Sequence, residues 1–298
     1  MSQQDTDSCT LATCPIDWAM VQYQPSLPAN ILFTALFGLL LVAQIGLGLW
    51  ARTWTYLVTM VCGLALEVIG YIGRVMLHSN PFNFSGFLMY LIPLTIGPAF
   101  FSASIYVCLA KIVKVHGESI SRIRPNTYTI IFVSCDVLSL ILQAVGGALT
   151  SIADTESARD TGVNIMIAGL AFQVFSLALF IALSLEYAFR VRRYPSEKNE
   201  STIELRNSLK WKWFLFALGA GTVTIFVRSA FRVAELQGGF DSALANDEVI
   251  LMVLESAMIS IACICLTSAH PALVFGRQYK SAGEKDTSDD LEVSKLSP

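Results

Sequence analysis

Charge is scarce in this chain. Asp, Glu, Lys and Arg make up 14% of its 298 residues, while 54% are hydrophobic; a soluble domain carries about 25% charged residues. With a mean hydropathy of +0.58, a water-soluble fold would need nearly every helix to be apolar all round. Histidine is scarcer still. Only His78, His116 and His270 are present, and the topology derived below puts His78 on one side of a bilayer and the other two on the opposite side. They cannot share an ion, which argues against a metal-dependent intramembrane hydrolase and against haem ligation. There is no Walker phosphate loop, no Lys in the last apolar segment for a retinal Schiff base, and no nucleophile paired with a base. The chain reads as a non-enzyme without a cofactor. The third apolar segment lacks a terminal Asp/Glu-Arg-Tyr triplet and the seventh lacks Asn-Pro-x-x-Tyr, so helix count alone is weak support for G-protein signalling. No basic residue precedes the first apolar run. The start, MSQQDTDSCT, therefore does not read as a cleaved signal peptide, and the first span is expected to act as the insertion signal.

What is abundant is apolar sequence in blocks of about 20 residues, the length needed to cross about 30 Å of hydrocarbon. Seven such blocks are predicted at 30–50, 54–75, 88–111, 127–149, 163–186, 212–235 and 249–270. Backbone in lipid must satisfy its own hydrogen bonds, so the blocks are helices; they are too long and too uniformly apolar for barrel strands. The expected fold is an all-α polytopic membrane protein. Its expected organisation is a tail at 1–29, a seven-helix domain at 30–275 and a disordered polar tail at 276–298.

Basic residues set the expected orientation. Lys111, Lys114, Arg122 and Arg124 follow the third span, Arg190, Arg192, Arg193, Lys198, Arg206 and Lys210 follow the fifth, and Arg277, Lys280, Lys285 and Lys295 follow the seventh. The alternate connections are acidic: Asp154, Glu156 and Asp160 outweigh Arg159, and Asp241, Asp247 and Glu248 face no base. The N-terminus is thus expected outside and the C-terminus in the cytoplasm. Cys9 and Cys14 in the outer tail form a disulfide candidate. Cys62, Cys108, Cys135, Cys263 and Cys265 fall within spans and read as small apolar packers. The sequon at Asn83 is a glycosylation candidate close to the membrane; the one at Asn199 is expected on the cytoplasmic side and silent.

The few charges inside the spans are the informative ones, because charge at membrane depth normally faces a cavity or a partner. Glu67, Tyr71 and Arg74 share a face of the second span, with Gly70 and Gly73 permitting close helix approach. Arg228, Arg232 and Glu235 climb one face of the sixth. Arg232 and Glu235 can partly neutralise each other, while Arg228 needs a partner from elsewhere. Glu255 of the seventh span lies at similar depth, and so does Glu67. A closed polar cluster in the outer half of the bundle is expected, either receiving a polar head group or locking the helices together. Asp136, Ser139 and Gln143 form a polar stripe on the fourth span, and Gln173 adds a polar group on the fifth; a lone Gln often just joins helices. Pro93 and Gly97-Pro98 remove backbone donors from the third span, giving a break or a fixed curve. His270-Pro271 reads as a helix stop.

These residues resemble the fungal RTA1-like family of lipid-translocating exporters. The likeness rests on an ordered set: Glu67-x-x-Gly70-Tyr71-x-x-Arg74, Pro98-Ala99-x-x-x-Ala103-x-x-Tyr106, and Asp136-x-x-Ser139-x-x-x-Gln143-x-x-Gly146-Gly147. Gly162, Gly169 and Gln173 follow, then Arg228-x-x-Phe231-Arg232-x-x-Glu235-x-x-Gly238 and His270-Pro271. The likeness spans about residues 28–275. In the seventh span the family usually has Tyr followed by Asp three residues later, where this chain has Met252 and Glu255. The resemblance implies a fungal protein of the plasma membrane that moves sphingoid long-chain bases or related toxic amphiphiles, or one that senses lipid distribution. Its expected partners are membrane lipids or amphiphilic small molecules and not nucleic acid, with a homodimer as a further expectation. The expected substrate-binding set is Glu67, Tyr71, Arg74, Asp136, Gln143, Gln173, Arg228, Arg232, Glu235 and Glu255.

Overall fold

The computed structural model describes residues 13–16, 19, 21, 23–116, 125–153, 155–193, 208–238 and 247–275. Among these residues there are seven helices long and apolar enough to cross a membrane, and no strand. They are α1 (Leu27–Ala51), α2 (Trp54–Ser79), α3 (Phe84–His116), α4 (Pro125–Ser151), α5 (Glu156–Arg193), α6 (Leu209–Gly238) and α7. The last is built of three consecutive pieces, Glu248–Leu251, Met252–Ala257 and Met258–Ser268, and a short α8 (Pro271–Phe275) follows it. Cys9, Asn199 and the tail 276–298 lie outside the described residues.

Helix lengths depart from the expected spans in one systematic way. α5 covers 38 residues, about 57 Å at 1.5 Å per residue, where the apolar pattern marks only 163–186. Its ends are the acidic turn at Glu156 and the basic turn Arg190–Arg193, both within the connections expected from hydropathy. Hydropathy registers the oily slab, whereas the helix continues into water through charged side chains. α3 likewise covers 33 residues and runs unbroken through both Pro93 and Pro98. Of the two expected outcomes for that helix, a break or a fixed curve, the break is absent; α7 is interrupted, its Met252–Ala257 segment being a π-helix.

Burial ranks the helices. In the most apolar stretch of α3, 72% of residues are buried, against 17% in α1; α3 is the central post and α1 stands at the rim. Apart from Gly48 at its end, α1 buries only Asn30, Phe37 and Gln44, seven apart on one face. Phe37 stacks on Tyr71 of α2 at 5.4 Å, and Gln44 donates to Thr267 of α7 at 3.1 Å. Leu32, Leu39, Val42 and Leu49 are exposed, as suits a lipid-facing wall. Arg52, left-handed at φ 55°, closes α1 by donating its N–H to the Gly48 carbonyl.

Two helix pairs approach at glycine. A Cβ on Gly73 would lie 2.6 Å from the Tyr90 nitrogen and 2.8 Å from the Met89 carbonyl carbon, so α2 and α3 touch backbone to backbone. A Cβ on Gly146 would lie 2.6 Å from the Gly162 oxygen, which joins α4 to α5 in the same way. The cysteine readings divide by location: Cys14 is disulfide-bonded, and the five in the spans are free thiols.

Candidate functional site

The charged residues of α6 find their partners on α3, on α7 and within α6 itself. Arg228 donates to Glu255 at 3.0 Å, Arg232 pairs with Glu235 at 2.7 Å, and Arg232 reaches Glu255 at 3.8 Å. All four side chains are buried. Arg232 also extends toward Thr95 at 3.4 Å and toward Tyr90. A second Arg228 bond goes to the Leu94 carbonyl of α3. That carbonyl is free because its helical partner four residues on would be the N–H of Pro98, which proline lacks. The proline thus creates a buried acceptor, and the α6 guanidinium uses it.

The π-helical turn carries the acid of this network. Its i→i+5 spacing makes a wider turn, a form found mostly as single-turn insertions, often at functional sites. Glu255 and Ser256 are consecutive residues of this turn and both are buried, at 2% and 0% exposure. Glu255 supplies Oε1 to the arginines, but its Oε2 has no hydrogen-bond partner. Tyr71 of α2 faces Ser256 and lies within electrostatic reach of Glu67 and Glu255.

Glu67 stands beside the network rather than inside it. It is 1% exposed, its Oε1 has no hydrogen-bond partner, and among the described residues it forms no ion pair. A Cβ on Gly97 would lie 2.9 Å from that same Oε1, so the carboxylate occupies room left by a glycine of α3. Arg228 and Glu255 are its charged neighbours.

The other expected site residues separate into three further places. Arg74 is 1% exposed and turns away from Glu67. It donates to Asn30 at 2.8 Å and to the Tyr23 hydroxyl at 3.2 Å, and its guanidinium lies 5.0 Å from the Tyr90 ring centre. Asp136 accepts from Tyr106 of α3 at 3.1 Å, with its Oδ1 unpartnered. Gln143 donates to Gln173 at 3.1 Å, a cross-helix contact joining α4 to α5. Ser139 bonds the carbonyl of Asp136 in its own helix and adds nothing to a shared site. Near the end of α7, Tyr56 donates to the Leu266 carbonyl at 2.9 Å, and its ring meets that of His270 edge-on at 5.1 Å.

The segment before α1 closes one end of the bundle. Gln24 donates to the His78 carbonyl at 3.0 Å, His78 Nδ1 meets the Pro25 carbonyl at 2.7 Å, and the Ser26 N–H donates to Glu248. Tyr23 of this segment has its phenol held above the ordinary value of 10.0 by burial, against the lowering influence of Arg74. Asn83 caps α3, its side-chain oxygen accepting from the Gly86 N–H at 3.0 Å. The glycosylation candidate thus already serves as a helix cap.

Sequence reasoning missed Asn30, Tyr23, Tyr90, Thr95 and Ser256. For Asn30 a signal existed: Asn30, Phe37 and Gln44 recur every seven residues, the mark of one buried stripe. For the rest the roles depend on which helices become neighbours, and spacing along one helix does not record that.

The fold and its buried ion network define a polytopic helical membrane protein with a charged interior. A family profile described as RTA1 like protein matches residues 60–278. The chain belongs to the RTA1-like family. It is 33% identical to the sphingoid long-chain base transporter RSB1 of Saccharomyces cerevisiae, over 84% of this chain and 73% of that protein. It is 30% identical to Protein RTM1 of Saccharomyces cerevisiae, over 71% of this chain and 66% of that one. A probable lipid transporter, atnI of Emericella nidulans, is 27% identical over 85% of this chain and 67% of its own length. No solved structure matches the chain. Among these relatives, those whose names state a role are transporters.

Proposed function

We propose that this protein moves amphiphilic lipids across the plasma membrane, sphingoid long-chain bases first among them. In this reading the head group binds where α2, α3, α6 and α7 meet, in the outer half of the bundle, with the N-terminus outside. The observation that carries the reading is a set of buried carboxylate oxygens without donors, Glu67 Oε1 and Glu255 Oε2. A primary ammonium has three N–H donors and no acceptor, so it complements such a set. Arg228 Nε, also buried and without a partner, is a donor suited to a hydroxyl of the same head group. The alkyl chain would lie on the apolar helix surface. Arg228 and Arg232 hold Glu255 and Glu235 in place. Arg74, Asp136, Gln143 and Gln173 support the bundle around the site.

The name of the relative RSB1 supports the substrate class, and its 33% identity leaves the choice of base to experiment. The test is reconstitution of purified protein in liposomes with a labelled long-chain base, followed by measurement of its appearance in the opposite leaflet. Protein-dependent movement, reduced at least tenfold in a folded Glu255→Gln variant, is the expected result. Specific binding without movement would instead make the protein a lipid sensor or regulator.

A further inference from the structure

The ion network is electrically complete without Glu67. Arg228 and Arg232 face Glu235 and Glu255, two charges of each sign. Glu67 is a further acid beside them, buried to 1% exposure, with no ion pair among the described residues and an unpartnered oxygen. The third buried arginine nearby, Arg74, is two helical turns along α2 and turned to Asn30, Tyr23 and Tyr90. The groups facing Glu67 are Arg228 from α6, Glu255 and Cys263 from α7, and Tyr71 from its own helix; from α3 it meets Gly97. Arg228 is already bound to Glu255 and to the Leu94 carbonyl. A carboxylate in such a place is not tolerated as a bare charge. It must hold either a proton or a cation.

We propose that Glu67 is a proton-exchange site, at which a proton and the ammonium of the lipid compete, so that lipid movement is coupled to proton movement in the opposite direction. This rests on the head-group reading above. The step balances: the O–H bond of the Glu67 carboxyl breaks, its proton leaves to water, and the carboxylate pairs with the incoming ammonium. Loss of the lipid on the other side lets a proton return. Binding one monocation and releasing one proton leaves the charge of the site unchanged, which keeps an uncompensated charge out of the membrane in both states. No bound nucleotide is required as energy source; a pH difference suffices.

The test counts protons. The purified full-length protein is titrated calorimetrically in detergent with a saturated primary-amine long-chain base, near neutral pH, in two buffers of different ionisation enthalpy. The difference between buffers gives protons released per base bound. The expected result is about one for the wild type and none for a folded Glu67→Gln variant at saturating base; an aliphatic amine with a pKa near 10 enters already charged, so it releases nothing itself. Binding by the wild type with no proton released overturns the exchange and leaves the head-group reading standing. Absence of binding overturns both. Release persisting in Glu67→Gln, or lost in Asp136→Asn while kept in Glu67→Gln, overturns the assignment to Glu67. Should Glu67→Gln fail to fold, Glu67→Asp decides: it keeps a carboxyl group and should keep the release, and a folded variant that releases nothing overturns the proposal.

Discussion

Arg228→Met tests whether the network is held as the geometry implies. The substitution keeps an unbranched stem of similar bulk and removes the guanidinium. Two acceptors then lose donors. Glu255 loses its 3.0 Å partner and retains only Arg232 at 3.8 Å. Breaking a buried ion pair from one side costs about 3–5 kcal/mol, and the remaining arginine argues for the low end. The Leu94 carbonyl, orphaned by Pro98, adds about 1 kcal/mol. The sum is roughly 4 kcal/mol, or a fall in Tm of about 8–16 °C at about 2–4 °C per kcal/mol. A thiol-reactive fluorogenic dye can follow this in detergent, because Cys108 and Cys263 are free and buried at 1% and 0% exposure and react only on unfolding. The second arm is Glu255→Met alone and together with Arg228→Met. Removing the acid relieves the charge that the first change stranded, so the double variant should be more stable than additivity predicts by at least about 1.5 kcal/mol. A Tm within 2 °C of wild type for Arg228→Met, or additivity of the pair within about 0.5 kcal/mol, would refute the reasoning.

Gly73→Ala should lower Tm by several degrees, about 1–3 kcal/mol for overpacking, because the added Cβ meets Tyr90 and Met89 backbone at 2.6 and 2.8 Å. Gly38→Ala, with nothing within 4 Å, should be neutral or slightly stabilising in the same dye assay. Gln173→Leu removes the 3.1 Å bond from Gln143 and should cost only about 0.6 kcal/mol, the mean for such bonds inside membranes, with base transport in liposomes kept within twofold. Orientation can be read by impermeant maleimide labelling: the exposed Ser79→Cys should react on intact cells and the exposed Arg193→Cys only after permeabilisation. The reverse pattern would invert the expected topology.

Much of the fold was legible because lipid imposes a single rule on every span. Apolar length alone located all seven helices; most ends fell within a few residues of the expected ones, and the largest errors came where charged turns carry a helix beyond the slab, as at Arg190–Arg193. Part of the site was legible for a related reason: an Arg or Glu inside an apolar block cannot be accidental. Arg228, Arg232, Glu235 and Glu255 were each visible alone, and each lies in the network. What spacing could not supply was the partner across helices. Glu67 and Arg74 share a face of α2, yet they do not share partners: Arg74 takes Asn30 and Tyr23. Asp136 and Gln143 shared a stripe and take partners on different helices, α3 and α5. The π-helical turn at Met252–Ala257 left no mark in the apolar pattern, because one inserted residue barely disturbs a block that is apolar on every side.

Pro98 and the π-helical turn solve the same problem from opposite sides of the network. A buried guanidinium has five donors and needs acceptors that lipid cannot offer. In a regular helix the carbonyls are already taken by the chain. Pro98 frees one at Leu94 by deleting a donor. The wider turn of α7 presents a carboxylate and a hydroxyl from adjacent residues, Glu255 and Ser256, to the interior. Both are departures from regular helix, and both sit against α6. Two carboxylate oxygens remain over, at Glu67 and Glu255, against one unused donor, Arg228 Nε. A structure built only to lock helices together gains nothing from leaving acceptors over, since each buried group without a donor costs about 1–3 kcal/mol. A site that must receive a cation and release it again has to keep them unpaired in the empty state.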